Sequence, residues 1–356
     1  MPIPFILGGA AAVAGLFGAK KMYDSNKNNN EAKALNNEAE EIFYSAQRRL
    51  DKQRTTTNAM LEDLGKTRIM VWSEDMAQFV EVFQKFADIE WKGEVANDKA
   101  LQVTDKMLSE IQRASFTASE VVKAGFGSLA SGTLAGVAAY GGVGAFAAAS
   151  TGTAISTLSG AAATNATLAW LGGGSLAAGG LGVAGGTLVL GGVVAAPVLA
   201  VAGLFAASKS KENLARAEKN YAEARNAAEE MGIMTDSLAN TYNIAADYND
   251  FILDFSNRFK VVIQCITEIH DKNYEIISKK FVNKMKMLVG LKKSVKVSFN
   301  DLTEEEQQQL HISWLLVQSL QALLTQGILD KKGKVDKKAT RVLYDSQRML
   351  EEHTNG

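Results

Sequence analysis

A run of 85 consecutive residues, 124–208, contains no Asp, Glu, Lys or Arg, and we call it the charge-free segment. It holds 20 of the chain's 31 glycines. The other 271 residues carry all 38 basic and all 39 acidic side chains. The average composition, 47% apolar with a net charge of −1, therefore describes neither part of the chain. A fold for this sequence must either shield a long apolar stretch from water or place it in lipid.

The glycines of the charge-free segment oppose a helix in water, because each costs about 1 kcal/mol relative to alanine. In lipid, unpaired backbone groups cost several kcal/mol each and enforce a helix, while small residues allow helices to approach closely. Small residues recur here every four positions, which predicts a glycine zipper in a membrane. The residues that we predict to serve membrane insertion and helix packing are Gly15, Gly132, Gly136, Gly144, Trp170, Gly182, Gly186, Gly192 and Pro197.

The length of the charge-free segment allows up to four spans of ~20 residues. Basic residues border it on both sides, at Lys123 and at Lys209, which favours an even number of crossings. We expect a hairpin with two principal spans, 126–148 and 176–206. The alternative is the dry interior of a soluble helical bundle. The two interpretations are compatible if polar helices shield the segment in a soluble form and release it at a membrane.

The N-terminus repeats this chemistry on a smaller scale. Residues 3–19 are uncharged and are followed by Lys20 and Lys21. The basic pair follows the apolar run and no polar cleavage region is visible, so the pattern does not indicate a cleavable secretory signal. At ~1.5 Å per residue the run reaches the short edge of a membrane span. Membrane contact is favoured over the alternative, a buried helix of a soluble bundle.

Two charged, helix-prone arms flank the charge-free segment. The first has an interrupted amphipathic stripe, formed by Ile42, Phe43, Ala46, Leu50, Met76, Phe79, Val80, Phe83 and Phe86. The second has a long seam of alternating three- and four-residue steps, which predicts a coiled coil or bundle of long helices; it comprises Leu214, Ala217, Tyr221, Ala224, Ala228, Met231, Thr235, Leu238, Tyr242 and Ala245, with one row continuing through Ile252, Phe259 and Ile266. Ala and Tyr in this seam favour close antiparallel packing within the chain. Each arm is either one long helix or a set of shorter, folded-back segments.

The C-terminal part is predicted to be a short helical appendix. Thr303 followed by Glu306 fits a capping box at a helix start. A Lys/Gly turn at 331–334 leads to a final amphipathic helix that ends near Glu352. We expect both helices to pack on the arms; the alternative is a separate recognition module.

No enzymatic site is predicted. Cys265 is the one cysteine, and three histidines leave little material for metal or acid–base chemistry. The G-x-G-x-x-G match at 180–185 lacks a preceding strand and a suitably placed acid. Gly65-Lys66-Thr67 resembles the end of a phosphate-binding loop, but Met60 stands where the first glycine should be. We therefore predict no catalytic, cofactor-binding or metal-binding residues. The near-neutral charge also argues against nucleic acid as a partner.

These observations predict an all-α fold in which long antiparallel helical arms, a coiled-coil bundle, flank a Gly/Ala-rich hydrophobic helical hairpin. The predicted regions are an N-terminal apolar segment and linker (1–28), the first arm (29–123), the membrane-inserting hairpin (124–208), the second arm (209–290) and the C-terminal helical appendix (291–356).

The order of long helix, apolar hairpin and long helix over residues 29–290 resembles the α-helical pore-forming toxins of the cytolysin A type and the apolipoprotein L layout. The stretch from Asn165 to Gly174 is similar to a segment of uncharacterised bacterial membrane-associated proteins. These resemblances rest on architecture and imply oligomeric membrane permeabilisation, without assigning functional residues. The extra N-terminal apolar segment and the absence of an export signal favour an intracellular effector or resident membrane protein over a secreted toxin.

The predicted function is accordingly insertion of the hairpin into a bilayer and homo-oligomerisation into a pore or lesion. The alternative is a membrane-anchored coiled-coil scaffold whose arms bind a protein partner, and an enzyme is the least favoured interpretation. The expected location is the cytoplasmic side of a bacterial inner membrane, with a soluble form before insertion.

Overall fold

The structure, a computed structural model, describes residues 25–89, 105–128, 133–140, 214–285, 296–330 and 333–354. These residues are helical almost throughout, which confirms the all-α class and the long helices. The helices are α1 (Ser25–Val71), a π-helical turn (Trp72–Met76), α2 (Ala77–Phe83), α3 (Asp105–Ala124), a 3-10 turn (Phe126–Ser128), α4 (Thr133–Tyr140), α5 (Leu214–Met285), a 3-10 turn (Phe299–Asp301), α6 (Glu304–Thr325) and α7 (Lys337–Thr354). Strands β1 (Phe86–Ala87) and β2 (Val297–Ser298) form a parallel pair.

The described residues form two compact units, and the boundary falls within both long helices. The first unit contains residues 25–56 of α1 and 214–239 of α5. The second contains the rest of both helices together with α2, α3, α4, α6, α7 and the strand pair.

The first unit is built from the seam that the sequence predicts. Its core joins apolar residues of α1 to those of α5, with Ala39, Phe43, Ala46 and Leu50 from one helix and Ala224, Ala227 and Met231 from the other. Beside this core, the buried Asn220 Nδ2 donates to Asn36 Oδ1 at 3.0 Å, and Tyr221 donates to Glu38. The small alanine side chains allow the two backbones to approach closely.

The antiparallel orientation expected for the arms is wrong, because α1 and α5 run parallel. In the second unit Thr67 of α1 pairs with Asn249, and about two turns further on Asp75 of the following π-helical turn pairs with Ser256, so contacts advance in the same direction along both chain segments. In the first unit, Asn36 and Asn220 are 184 positions apart, which is nearly the same separation as in the two pairs of the second unit. Alanine in a seam permits close packing in either direction, whereas these polar pairs fix register and orientation.

The first arm is folded back, and the second is one helix over its described length. After α1 the chain continues through the π-helical turn and α2, and α3 then returns antiparallel to them: Ser119 donates to the carbonyl of Ser73, and Gln84 to the side chain of Gln112. By contrast, α5 runs without a break for 72 residues. The predicted stripe residues of both arms are buried or partly buried, as expected for amphipathic helices.

The C-terminal helices pack on the arms, as the sequence predicts. Thr303 and Glu306 form the capping box at the start of α6, each side chain bonding to the backbone N–H of the other. The fully buried Trp314 stacks on Phe83 with ring centroids 5.2 Å apart and lies beside Phe79. In α7, the carbonyl of Ala339 accepts a 2.7 Å hydrogen bond from the buried hydroxyl of Tyr248. The appendix is therefore part of the second unit's core.

Candidate functional site

Helix α4 places a piece of the charge-free segment inside the second unit. Its described side chains are nearly all removed from water: Leu134, Ala135, Val137, Ala138 and Ala139 are each less than a tenth exposed. Of the expected span 126–148, the structure describes a 3-10 turn at 126–128 and the eight-residue α4, and the other residues of the span lie outside the described ranges. Gly125, at φ +81°, separates α3 from this region. The start of the charge-free segment is thus stored as a short helix within a larger helical core.

Gly65 of α1 allows α4 to approach unusually closely. A Cβ atom at this position would lie 2.2 Å from the carbonyl oxygen of Leu134, which is far inside van der Waals contact. Because the opposing atom belongs to the backbone, it cannot rotate away as a side chain could. Gly65 therefore serves close helix–helix packing, and the phosphate-loop resemblance of its neighbours has no structural counterpart, since Gly65 lies within a helix.

Arg68, one turn further along α1, binds the C-terminal end of α4. Its Nη1 donates to the carbonyls of Val137 and Ala138, both at 3.1 Å. Its Nη2 donates at 2.7 Å to the carbonyl of Gln326, the C-cap residue of α6. The last carbonyls of a helix have no partner within the helix, and a cation there also interacts favourably with the helix dipole. Arg68 thus joins the C-terminal ends of two helices through one guanidinium group.

The connection between α6 and α7 also donates two backbone hydrogen bonds to α4. The backbone N–H of Leu329 donates to Ala139 at 2.7 Å, and that of Ile328 donates to Ala138 at 3.3 Å. The backbone carbonyls of Val137, Ala138 and Ala139 therefore all accept hydrogen bonds from donors outside α4. We call the set formed by Gly65, Arg68, Gln326, Ile328 and Leu329 the α4 cradle.

The Arg68 side chain is fully buried, and among the described residues no carboxylate lies within ion-pair distance of it. Burial lowers its pKa to about 10, so the group stays charged at neutral pH. Its Cζ atom lies 5.5 Å from the centroid of the Tyr248 ring, within range of a cation–π interaction. Burial also raises the pKa of Tyr248 to about 12, which keeps the phenol neutral and able to donate to Ala339. Helix carbonyls and an aromatic ring therefore stabilise this cation in place of an anion.

A second buried charge lies on the π-helical turn. Asp75 accepts a hydrogen bond from Ser256 at 2.5 Å, and Lys260 Nζ lies 3.6 Å from its other oxygen. Burial raises the pKa of this carboxyl, while Ser256 and Lys260 act in the opposite direction. The group links the π-helical turn to α5, and none of these contacts involves α4. Within the described ranges, no cluster of His, Cys, Asp and Glu could hold a metal ion.

Of the residues predicted for insertion and packing, Gly136 lies within α4. Gly15, Gly132, Gly144, Trp170, Gly182, Gly186, Gly192 and Pro197 lie outside the described residues. The sequence analysis missed the roles of Gly65 and Arg68. An isolated glycine in a helical arm, where it costs stability, indicates close backbone approach and could have identified the first. No local pattern distinguishes Arg68 from the other arginines of the arm.

None of the helices within the described ranges combines the length and apolar character needed to cross a bilayer. No protein-family model, curated protein or solved structure matches this chain.

Proposed function

We propose that this protein is membrane-active: residues 124–208 insert as a helical hairpin, together with 3–19, and oligomerise through small-residue faces into a pore or lesion. The partners in this proposal are the lipid bilayer and further copies of the chain. The proposed location is the cytoplasmic side of a bacterial inner membrane, where the chain exists in a soluble form until insertion.

One observation carries the proposal: the start of the charge-free segment is held in the second unit by contacts at its helix end. Arg68, Ile328 and Leu329 donate to carbonyls that a longer helix would use itself. In a continuous helix, the N–H groups of residues 141–143 would donate to the carbonyls of Val137, Ala138 and Ala139. Extending α4 into a membrane-spanning helix would therefore give these carbonyls hydrogen-bond donors within the helix. The hydrogen bonds lost from the α4 cradle would be replaced by hydrogen bonds of the inserted helix.

The composition of the stored helix also suits release. Alanine dominates its buried side chains, so leaving the core exposes less apolar surface than a helix of leucine and phenylalanine would. In the inserted form, Gly136 and Gly144 would lie on the close-packing rows that the sequence predicts, with Gly182, Gly186 and Gly192 on the second span.

A scaffold is the second candidate function, and a specific observation favours it. Ile233 and Val261 on α5 are 66% and 67% exposed, whereas the large apolar side chains of an amphipathic helix usually face a core. In this alternative, the hairpin anchors the chain in a membrane and the arms bind a partner protein.

The test is dye release from liposomes by the purified full chain, alongside cosedimentation with the same liposomes. The variant Gly182→Leu/Gly186→Leu fills one small-residue row and should bind but release far less dye than the wild type. The matched control is Gly232→Leu on α5, where a Cβ atom meets nothing within 4 Å. Binding by the wild type without leakage would contradict pore formation and support the scaffold function. Absence of any liposome association would defeat both functions.

A further inference from the structure

Helix α7 has a buried side and a basic side on opposite faces. Its buried residues Ala339, Ser346 and Leu350 follow a spacing of seven and four residues. Four exposed residues, Lys337, Arg341, Tyr344 and Arg348, repeat at four, three and four residues. At 3.6 residues per turn the centres of the two sets lie about 180° apart around the helix. The first set packs against the core, and the second points away from it.

The cations at the N-terminal end of this helix have no acidic partner within the described part of the chain. Lys334, Lys337, Lys338 and Arg341 make no ion pair there, whereas Arg348 lies 3.9 Å from Glu352. The two nearest acids are engaged by backbone: Asp330 accepts from the N–H of Lys334, and Asp336 from that of Lys338. Asp345 is the acid that flanks the exposed face between Arg341 and Arg348. We call Lys334, Lys337, Lys338, Arg341 and Tyr344 the basic face.

Stability of the helix does not account for the basic face. Lysines in the first turn lie at the positive end of the helix dipole, where acidic residues are the favourable choice. Tyr344 lies on the same surface and is 64% exposed, although packing its ring against apolar side chains would stabilise the fold. The net charge of the whole chain is −1, so this concentration of positive charge is local. An anionic partner would relieve the repulsion among these cations and compensate for their unfavourable position.

We propose that the basic face docks onto the surface of a bilayer that contains anionic lipids, and this inference rests on the proposed function. Lys334, Lys337, Lys338 and Arg341 would contact headgroup phosphates and carboxylates, at about 1 kcal/mol per cation close to an anionic surface. Tyr344 is suited to the headgroup level, where amphipathic aromatic rings concentrate. The three lysines of the basic face, Lys334, Lys337 and Lys338, lie within ten positions of Ile328 and Leu329, which donate to α4. Docking therefore places the stored helix beside the lipid into which it would insert.

The experiment compares three forms of the full chain by cosedimentation with two kinds of vesicle, pure phosphatidylcholine and a mixture with phosphatidylserine. The docking variant carries Lys334→Gln, Lys337→Gln, Lys338→Gln and Arg341→Gln. The charge-matched control carries Lys33→Gln, Lys52→Gln, Lys219→Gln and Lys279→Gln, which are also exposed and lie away from the charge-free segment in sequence. Far-ultraviolet circular dichroism and the thermal unfolding midpoint should be the same for all three forms.

We expect the docking variant to lose on the order of 100-fold or more in apparent affinity for the anionic vesicles, and the control to lose little. Raising the salt should weaken wild-type binding and leave the docking variant nearly unchanged. Equal binding by the docking variant and the control, or equal wild-type binding to both vesicles, would overturn the inference. Failure of the wild type to bind any vesicle would also overturn it and point to an acidic macromolecule as the occupant of the face.

Dye release distinguishes this inference from the proposed function. Wild-type binding through the basic face without any leakage supports docking and removes the pore. Leakage that is the same for the wild type and the docking variant at equal protein concentration overturns docking and leaves the pore proposal intact.

Discussion

The two units place the same pair of parallel helices, α1 and α5, around different buried chemistry. In the first unit the buried polar contact between them is the neutral pair Asn36–Asn220, set beside alanine, phenylalanine and methionine. In the second unit α1 buries Arg68 and the π-helical turn that follows it buries Asp75, and these residues are 0% and 1% exposed. A neutral amide pair fixes register at modest cost, whereas a buried charge is weak evidence for stability and requires specific partners.

This difference shows in which unit further helices pack against α1 and α5. The first unit needs only α1 and α5 for its described core. In the second unit, Arg68 contacts the ends of α4 and α6 and the ring of Tyr248, so its charge organises elements distant in sequence. The buried guanidinium is placed where the charge-free segment enters the helical core. Substitutions matched between the two units can test whether this distinction is real.

The largest effect is expected from Arg68→Met, compared with Asn220→Ala in the first unit. Removal of the guanidinium leaves the carbonyls of Val137, Ala138 and Gln326 without their donor in a dry environment, which should lower the free energy of unfolding by about 3–5 kcal/mol. Asn220→Ala should cost about 1 kcal/mol. Urea unfolding followed by circular dichroism measures both, and amide hydrogen exchange should show selective loss of protection at 133–140 in Arg68→Met. Equal losses in the two variants would remove the distinction between the units.

An intermediate effect is expected from Gly65→Ala, with Gly232→Ala as its matched control. Both glycines lie inside long helices, so alanine should favour each helix by about 0.5–1 kcal/mol. At Gly232 nothing lies within 4 Å of the new methyl group, and the unfolding free energy should rise by that amount. At Gly65 the methyl group would lie 2.2 Å from the backbone of Leu134, and the strain should produce a net loss of about 1–3 kcal/mol.

Opposite signs for the two glycine variants in the same urea titration would confirm the close approach of α1 and α4. A gain in stability for both would mean that α4 does not lie against Gly65. Exchange protection in α4 should fall in Gly65→Ala and remain at the wild-type level in Gly232→Ala, which separates local release from general destabilisation.

The sequence patterns predicted helices better than they predicted how the helices are arranged. Periodic apolar residues identified the buried faces of α1 and α5, and Thr303 with Glu306 identified a helix start, because these features depend on neighbours within one or two turns. The orientation of α1 and α5 depends on pairs such as Thr67–Asn249, which are 182 positions apart. The two-residue strands are too short to show an alternating pattern.

The candidate site was the least predictable part for the same physical reason. Leu134 contacts Gly65, and Val137 contacts Arg68, only because the chain folds back on itself over about 70 residues. The composition of the charge-free segment indicated that it must be shielded or inserted, but it contained no information about which charged side chain would hold it. Arg68 is recognisable only by its three carbonyl partners.

The smallest effect, and the one that separates the two buried charges of the second unit, is expected from Asp75→Asn. The amide oxygen can still accept from Ser256, and Lys260 is half exposed, so at neutral pH the unfolding free energy should change by no more than about 1 kcal/mol. The raised pKa of Asp75 means that the folded protein binds this proton more tightly than the unfolded chain does. Its contribution to stability therefore grows as the pH falls through the folded-state pKa and levels off below the unfolded-state pKa.

Urea unfolding at about pH 7 and about pH 4 should consequently show the wild type gaining stability relative to Asp75→Asn as the pH is lowered. Asp63→Asn, which removes an exposed carboxylate beside Lys66, controls for the general effect of charge. If the wild type instead loses stability relative to Asp75→Asn at the lower pH, the effect of Lys260 on the pKa of Asp75 outweighs that of burial. Asp75 and Lys260 would then form a stabilising ion pair between the π-helical turn and α5, and of the two buried charges Arg68 alone would depend on helix carbonyls in place of a charged partner.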